Sequence, residues 1–181
     1  MMTDSKRAFE RAMRLAVVSG LRATFGIALL EAAYDRPNRK TWALAALGEM
    51  VVDKVPGAPS RSSLPLMIPR VAAGAYVAKQ VMDREGIEDP WVAPIGGAVA
   101  AGVAALAPKV RGLLRVVLGV PGPILGLLED YLALKVGGEA LGLSMQDVQR
   151  IGEESFGDVK GYVESVASPD PSLQSAGAGS M

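Results

Sequence analysis

Two groups of charged residues interrupt otherwise apolar sequence, and they are the side chains of this chain best suited to chemistry. Glu49 and Asp53 are four residues apart, so they share one face of a helix, and Lys54 follows them. The second group consists of Glu129, Asp130 and Lys135. Because a charge at bilayer depth costs at least about 2.5 to 3.5 kcal/mol, such residues normally face a bundle interior or a wet cavity and pair with one another.

Arginines in and beside the apolar segments supply counter-charges, and Arg22, Arg61 and Arg70 are the candidates. Acidic and basic groups that converge from broken helices suit a pathway for an ion or a small solute, but they equally suit a structural network of ion pairs. A third interpretation places all of them at the water interface. The candidate intramembrane polar site comprises Arg22, Glu49, Asp53, Lys54, Arg61, Glu129, Asp130 and Lys135.

Composition excludes several classes of site. The chain contains neither cysteine nor histidine, which removes disulfides, thiol nucleophiles, zinc sites built from Cys and His, and histidine-based triads. Its 19 basic residues equal its 19 acidic residues, so no basic excess indicates a nucleic-acid partner. We therefore assign no catalytic residue, metal or cofactor, and an enzyme that uses Glu49 or Asp53 as a general acid or base is the least supported class.

Half of the residues are apolar, and they are concentrated in long segments that would position these charges. The segments cover residues 15–33, 41–55, 64–82, 91–108 and 124–141. Residues 91–108 carry no charge and would form about 27 Å of helix, which makes them the clearest candidate for a membrane span; a buried helix of a soluble protein is the alternative. Residues 1–14 predict a basic amphipathic helix that continues without a break into the apolar residues 15–33.

Small residues recur every four positions in the uncharged segment 91–108. The pairs are Gly96 with Ala100, Gly97 with Ala101, and Ala98 with Gly102. This pattern lets helices approach closely inside a membrane, and we select Gly97, Ala101 and Gly102 as helix-packing residues. Trp42 and Trp91 stand at the polar entrances of apolar segments, as interfacial anchors do.

The chain becomes polar towards its C-terminus. Ser144 and Asp147 have the spacing of a helix cap, and they predict a water-exposed amphipathic helix over 144–166. Residues 167–181 are rich in Ser, Gly and Pro, and they predict a disordered tail.

An internal similarity relates the two charged groups. Residues 47–57, "LGEMVVDKVPG", align with residues 128–138, "LEDYLALKVGG", at an offset that places Glu49 on Asp130. Three apolar segments separate the starts of the two copies, so equivalent helices would enter the membrane from opposite sides. The pattern predicts an inverted repeat, and the alternative is chance similarity between stretches rich in Ala, Leu and Gly.

Residues 15–140 resemble domain of unknown function 4126, an uncharacterised family of bacterial membrane proteins. The similarity is carried by "SGLRA" at 19–23, "LGEMVVDKVPGAPSRSSLPLMIPRVAAGAYVA" from Leu47, and "LLEDYLAL" at 127–134. The resemblance implies a multi-pass α-helical protein with no assigned activity, ligand or partner. It points to Arg22, Glu49, Asp53, Lys54, Pro56, Pro59, Ser60, Arg61, Glu129 and Asp130. The polar segment 144–181 departs from the family pattern, which leaves the number of spans open.

These patterns predict an all-α, polytopic membrane bundle of short or broken helices over 15–140, located in the cell (inner) membrane with the lipid bilayer as its partner. The function expected first is a small transporter or channel-like protein that moves an ion or a small solute past paired carboxylates. The alternative is a non-catalytic membrane scaffold or interaction protein, which packs through its Gly/Ala faces against a second copy or another membrane protein.

Overall fold

The computed structural model describes residues 4–52 and 64–167, and within these ranges the chain forms helices and no strand. The helices are α1 (Asp4–Leu21), α2 (Ala23–Ala33), α3 (Arg39–Val52), α4 (Leu64–Arg84), α5 (Val92–Leu118), α6 (Gly122–Leu141) and α7 (Met145–Ala167). The predicted all-α class is therefore confirmed for the described part of the chain. The predictions for Asp53, Lys54, Arg61 and the tail after Ala167 fall outside it.

Helices α1 and α2 form a hairpin that reverses at Arg22. This residue has an extended backbone (φ −141°, ψ 113°), and α2 folds back along α1, so that Leu30 joins Ala8 and Ala12 in one core cluster. The prediction of an unbroken helix through Arg22 is wrong. The reversal is held by close packing, because a Cβ added at Gly26 would collide with the Ser19 hydroxyl.

Helices α1, α4 and α5 pack tightly through small residues. A Cβ added at Gly96 would lie 2.6 Å from the carbonyl oxygen of Gly74, and one added at Gly20 would lie 2.6 Å from that of Ala100. Only glycine allows backbones to approach this closely. The three helices therefore form the most closely packed part of the described bundle.

Helix α5 is the one helix among the described residues that is long and apolar enough to cross a membrane. Its 27 residues would measure about 40 Å. It continues through Pro108, beyond the uncharged segment 91–108, and ends at Gly119, whose left-handed φ of 64° suits glycine. Trp91 is exposed at its start, whereas Trp42 is half-buried and packs against the apolar core.

Helices α6 and α7 complete the bundle. Helix α6 lies against α1 and α2, and α7 packs on α3 and α6. The predicted cap of α7 is confirmed: the backbone N–H and the hydroxyl of Ser144 donate to Asp147 Oδ2 at 3.0 and 2.6 Å, and the Asp147 N–H donates to Ser144 Oγ at 3.1 Å. This reciprocal arrangement satisfies donors that a helix start would otherwise leave open.

Candidate functional site

Arg22 forms a buried ion pair with Asp130 at the α1–α2 reversal. Its Nε lies 2.8 Å and its Nη2 lies 2.7 Å from Asp130 Oδ1. The two residues are only 1% and 2% exposed. Arg22 Nη1 also donates to the backbone carbonyl of Glu49 at 3.4 Å, and the guanidinium lies 6.0 Å from the ring centroid of Phe25. One side chain thus connects the hairpin to α3 and α6.

The carboxylate of Glu49 caps the N-terminus of α2. It accepts hydrogen bonds from the backbone N–H of Ala23 (3.1 Å), from the N–H of Thr24 (3.0 Å) and from the Thr24 hydroxyl (2.6 Å). Arg22, the residue that precedes the helix, provides no side-chain cap. A helix start presents open N–H groups and a partial positive charge, so an anion brought from α3 stabilises it.

Arg70 adds a second cation from the first part of α4. Its Nη2 lies 3.3 Å from Glu49 Oε1, and its Nη1 donates to the carbonyl of Leu66 at 2.8 Å. Arg22, Glu49, Arg70 and Asp130 are called the charge cluster below. The cluster contains two cations and two anions from four separate places in the fold, so its formal charge is zero.

Glu129 does not join the charge cluster, although it precedes Asp130 in the sequence. It pairs with Arg111 of α5, because neighbouring residues on a helix point about 100° apart. Lys135 is exposed on the same helix. The structure thus brings three of the predicted site residues together and separates Glu129 and Lys135 from them.

The predicted helix-packing residues divide between two environments. Gly97 is buried, and a Cβ added there would lie 3.3 Å from Val71, whereas Ala101 is half-buried and Gly102 is exposed with nothing near it. The face that packs most closely inside this chain runs through Gly96 and Ala100, beside Gly97. Gly102 is therefore available on the outside of the bundle.

The sequence did not indicate that backbone N–H groups at the start of α2 donate to Glu49. It also did not indicate that Arg111 pairs with Glu129. Backbone N–H groups leave no sequence pattern of their own, but a charged residue between Gly20 and Gly26 in "SGLRATFG" is a signal for a helix break. In the sequence Arg111 lies between the basic residues Lys109 and Arg115, and this pattern does not indicate its partner. Among the described residues, no group of three or more carboxylate residues could hold a metal ion.

A second polar network lies at the opposite end of α2. Arg36 donates to Glu31 (3.1 Å), to the Tyr76 hydroxyl (3.1 Å) and to Gln80 Oε1 (2.6 Å). Burial opposes the charge on Arg36, but the hydrogen bonds and electrostatic interactions with Glu31 and Tyr76 together outweigh it and raise the pKa of Arg36. This network ties the end of α2 to α4.

An apolar cavity of about 400 Å³ lies between α2, α3, α6 and α7. Phe25, Ala28 and Ala46 line its walls, and Val148 and Ile151 of α7 line the side opposite them. Since Phe25 also contacts Arg22, one aromatic ring borders both the cavity and the charge cluster.

The helix bounds agree with the internal similarity, but the packing of the helices does not. Helix α4 begins at Leu64 and α7 at Met145, which reproduces the offset between Glu49 and Asp130. However, α4 packs on α1, α2 and α5, whereas α7 packs on α3 and α6. Equivalent helices therefore do not meet equivalent partners, and the inverted repeat stays a prediction.

No protein family model, curated protein or solved structure matches this chain. The resemblance to domain of unknown function 4126 accordingly stays a prediction. The geometry of the charge cluster and the distribution of apolar surface are the features that bear on function.

Proposed function

We propose that the chain is a multi-pass helical protein of the cell membrane that acts as a non-catalytic scaffold or interaction protein, with the charge cluster as its structural clamp. The observation that carries the proposal is the pairing inside the cluster. Glu49 accepts hydrogen bonds from Ala23, Thr24 and Arg70, and Asp130 holds Arg22. A clamp of this kind joins short helices that would otherwise end inside the membrane.

The length of α2 supports a location of the cluster at membrane depth. The helix has 11 residues between Arg22 and Tyr34, which is about 16 Å, or roughly half of a hydrocarbon layer about 30 Å thick. If the Tyr34 end lies at one interface, the cluster lies near the middle of the bilayer. Charges there are stable only when they are neutralised, as the two cations and two anions are.

The hydrogen bonds of Glu49 favour a permanent structural clamp over a site that binds and releases an ion. A hydrogen bond to a charged group contributes about 1.5 to 3 kcal/mol, and the Glu49 carboxylate makes four such contacts. Binding and releasing an ion at Glu49 would break several of them in every cycle. A permanent structural role requires no such step.

A small-solute or ion transporter is the second candidate function, and the α1–α2 reversal is the observation that favours it. The N-terminus of α2 begins inside an apolar hairpin, and α3 and α6 each bring a carboxylate to it. Transporters bind substrates and coupling ions at such interrupted helices. In this alternative Asp130 and Glu49 would change partners during transport.

The membrane location is tested first, by washing isolated membranes with alkaline carbonate. We expect the protein to remain in the pellet, because its apolar helices are held by the hydrocarbon layer. Release into the supernatant would overturn both candidate functions.

Flux measurements then separate the two candidates. Purified protein in vesicles is compared with Glu49→Gln, Asp130→Asn and the exposed control Lys79→Gln. A clamp predicts that wild-type vesicles match empty ones in ion and solute flux, and that the two cluster variants melt at lower temperature. Wild-type flux that both cluster variants lose while keeping their melting temperature would establish transport instead.

The scaffold role is tested at Gly102, the exposed glycine of the predicted packing face. Gly102→Leu should abolish self-association or co-purification of a membrane partner, since it obstructs close helix approach. Gly112→Leu is the matched control, because Gly112 is equally open and lies on the same helix. An unchanged complex in Gly102→Leu would contradict this use of the face. Gly97 is unsuitable for the test since it packs inside the chain.

A further inference from the structure

The end of α5 and the start of α6 extend past the charge cluster as a hairpin, and the surface of this hairpin is exposed and largely apolar. The hairpin comprises residues 106–128. In α5 the last buried residue is Ala104, and none of residues 105–124 is buried. The sequence "VVLGVPGPI" at 116–124 forms its tip and contains no charged side chain.

The exposed side chains of the hairpin are large and apolar on both helices. Val116 is 83% exposed and Leu113 is 63% exposed on α5, while Ile124 is 54% exposed on α6. An apolar groove of about 350 Å³ runs between the two helices, lined by Leu106, Leu114, Leu128 and others. Contiguous apolar surface of this kind marks a contact with a membrane or a partner.

The charges of the hairpin are all of one sign. Residues 106–128 include Lys109, Arg111 and Arg115 but no Asp or Glu. Arg111 pairs with Glu129 just beyond the hairpin, whereas Lys109 and Arg115 are exposed. Apolar side chains combined with exposed cations are typical of segments that bind anionic lipid surfaces.

The length of α5 indicates where the tip would lie. Val103 contacts Gly20, two residues before Arg22, so α5 passes the charge cluster near Ala104. From Ala104 to Leu118 α5 rises about 21 Å, and from Asp130 back to Gly122 α6 spans about 12 Å, so the tip lies beyond the cluster by about half of a hydrocarbon layer that is about 30 Å thick. The tip therefore reaches the boundary between acyl chains and headgroups, where the open backbone groups of its turn can still meet water.

We propose that the α5–α6 hairpin binds anionic phospholipid, with its apolar tip in the boundary between acyl chains and headgroups and with Arg115 at the lipid phosphates. The inference rests on the membrane location in the proposed function, but not on the choice between scaffold and transporter. A second copy of the chain is a poorer occupant, because a symmetric contact would set two surfaces of identical positive charge against each other.

The test uses the absence of cysteine from the chain, which makes single-cysteine labelling specific. Full-length Val117→Cys is labelled with an environment-sensitive fluorophore and reconstituted in phosphatidylcholine vesicles with or without phosphatidylglycerol. Glu88→Cys, in the exposed α4–α5 connection, is the matched control. We expect blue-shifted emission at position 117, quenching by nitroxide-labelled lipid, and iodide quenching several-fold weaker than at position 88.

The charge contribution is measured in the same vesicles. Protection of position 117 from the uncharged quencher acrylamide, which an anionic surface does not repel, should be greater with phosphatidylglycerol, and Arg115→Gln should remove that difference. Protection that is the same in both lipids for the wild-type charges would overturn the selectivity for anionic lipid.

Two other results would overturn the lipid contact itself. Equal iodide quenching at positions 117 and 88 would place the tip in water. Efficient disulfide formation between two Val117→Cys chains, with a blue shift already present in detergent, would identify a second copy as the occupant. Carbonate extraction of the same vesicles tests the membrane location separately. If the protein stays in the pellet, the membrane location holds, and only the proposed lipid contact is overturned.

Discussion

Arg22 and Asp130 are 108 residues apart in the chain and form a buried ion pair with Nε and Oδ1 separated by 2.8 Å. The pair fastens the α1–α2 hairpin to α6. Because Arg22 also reaches the backbone of Glu49, three helical units depend on one guanidinium. The contribution of this pair to the free energy of unfolding therefore tests the clamp directly.

Asp130→Asn should destabilise the fold by about 3 to 5 kcal/mol, because it leaves the buried charge of Arg22 without its carboxylate. The measurement is equilibrium unfolding of the purified protein in detergent. The double variant Arg22→Gln/Asp130→Asn should lose less than the sum of the two single variants, since both charges are removed together.

The exposed pair Lys79–Asp83 on α4 provides the control, with its Nζ and Oδ2 2.6 Å apart. Lys79→Gln should change stability by no more than about 1 kcal/mol, as exposed pairs do. If Asp130→Asn were as mild as Lys79→Gln, the charge cluster would not be a structural clamp.

Glu49→Gln should loosen the start of α2. The amide keeps one acceptor oxygen but loses the negative charge that Arg70 and the α2 N-terminus contact. Hydrogen–deuterium exchange should accelerate at the amides of Ala23 and Thr24. Glu88→Gln, in an exposed connection, should leave exchange at these amides unchanged, and equal rates in both variants would refute the capping role.

The sequence predicts which segments of this protein are helical better than it predicts where the chain reverses between them. The apolar segment 64–82 corresponds to α4 (Leu64–Arg84), and the Ser144 cap marks the start of α7. The reversal at Arg22 was missed because it needs one extended residue and no proline. It is fixed by tertiary contacts, such as Gly26 against Ser19, which hydrophobic periodicity does not contain.

The same limit applies to the candidate site. Charges in apolar sequence identified Arg22, Glu49 and Asp130 as residues that must find partners. Which partners they find depends on rotation about each helix axis, so Glu129 turned to Arg111 while Asp130 turned to Arg22. Local sequence sets the spacing along a helix but not the neighbour that each face meets.

Gly96→Ala should destabilise the bundle by about 1 to 3 kcal/mol, the usual effect of overpacking. The new methyl group would lie 2.6 Å from the Gly74 carbonyl oxygen and 2.5 Å from the Ala78 Cβ, so α4 and α5 must separate. Gly102→Ala has open space and should be neutral or stabilising by up to about 1 kcal/mol, because alanine favours helix. Thermal unfolding of both variants checks the contrast, and equal midpoints would contradict the tight α4–α5 crossing.

The start of α7 should lose stability in acid. Hydrogen bonds from the Ser144 hydroxyl and then from its backbone N–H lower the pKa of Asp147 below its ordinary value of 3.8, with a smaller contribution from Arg150. Since the folded pKa is the lower one, the stabilisation is fully present above the unfolded pKa and disappears as the pH falls through the folded pKa.

An NMR titration of the Asp147 carboxyl carbon measures this effect directly. The midpoint should lie below 3.8 in the wild type, and the first-turn amides of α7 should exchange faster as the carboxylate becomes protonated. Ser144→Ala removes the hydroxyl that contributes most, so its midpoint should move up towards 3.8. A midpoint that Ser144→Ala leaves unchanged would mean that the cap geometry does not control this carboxyl group, and α7 would then need another account of where it begins.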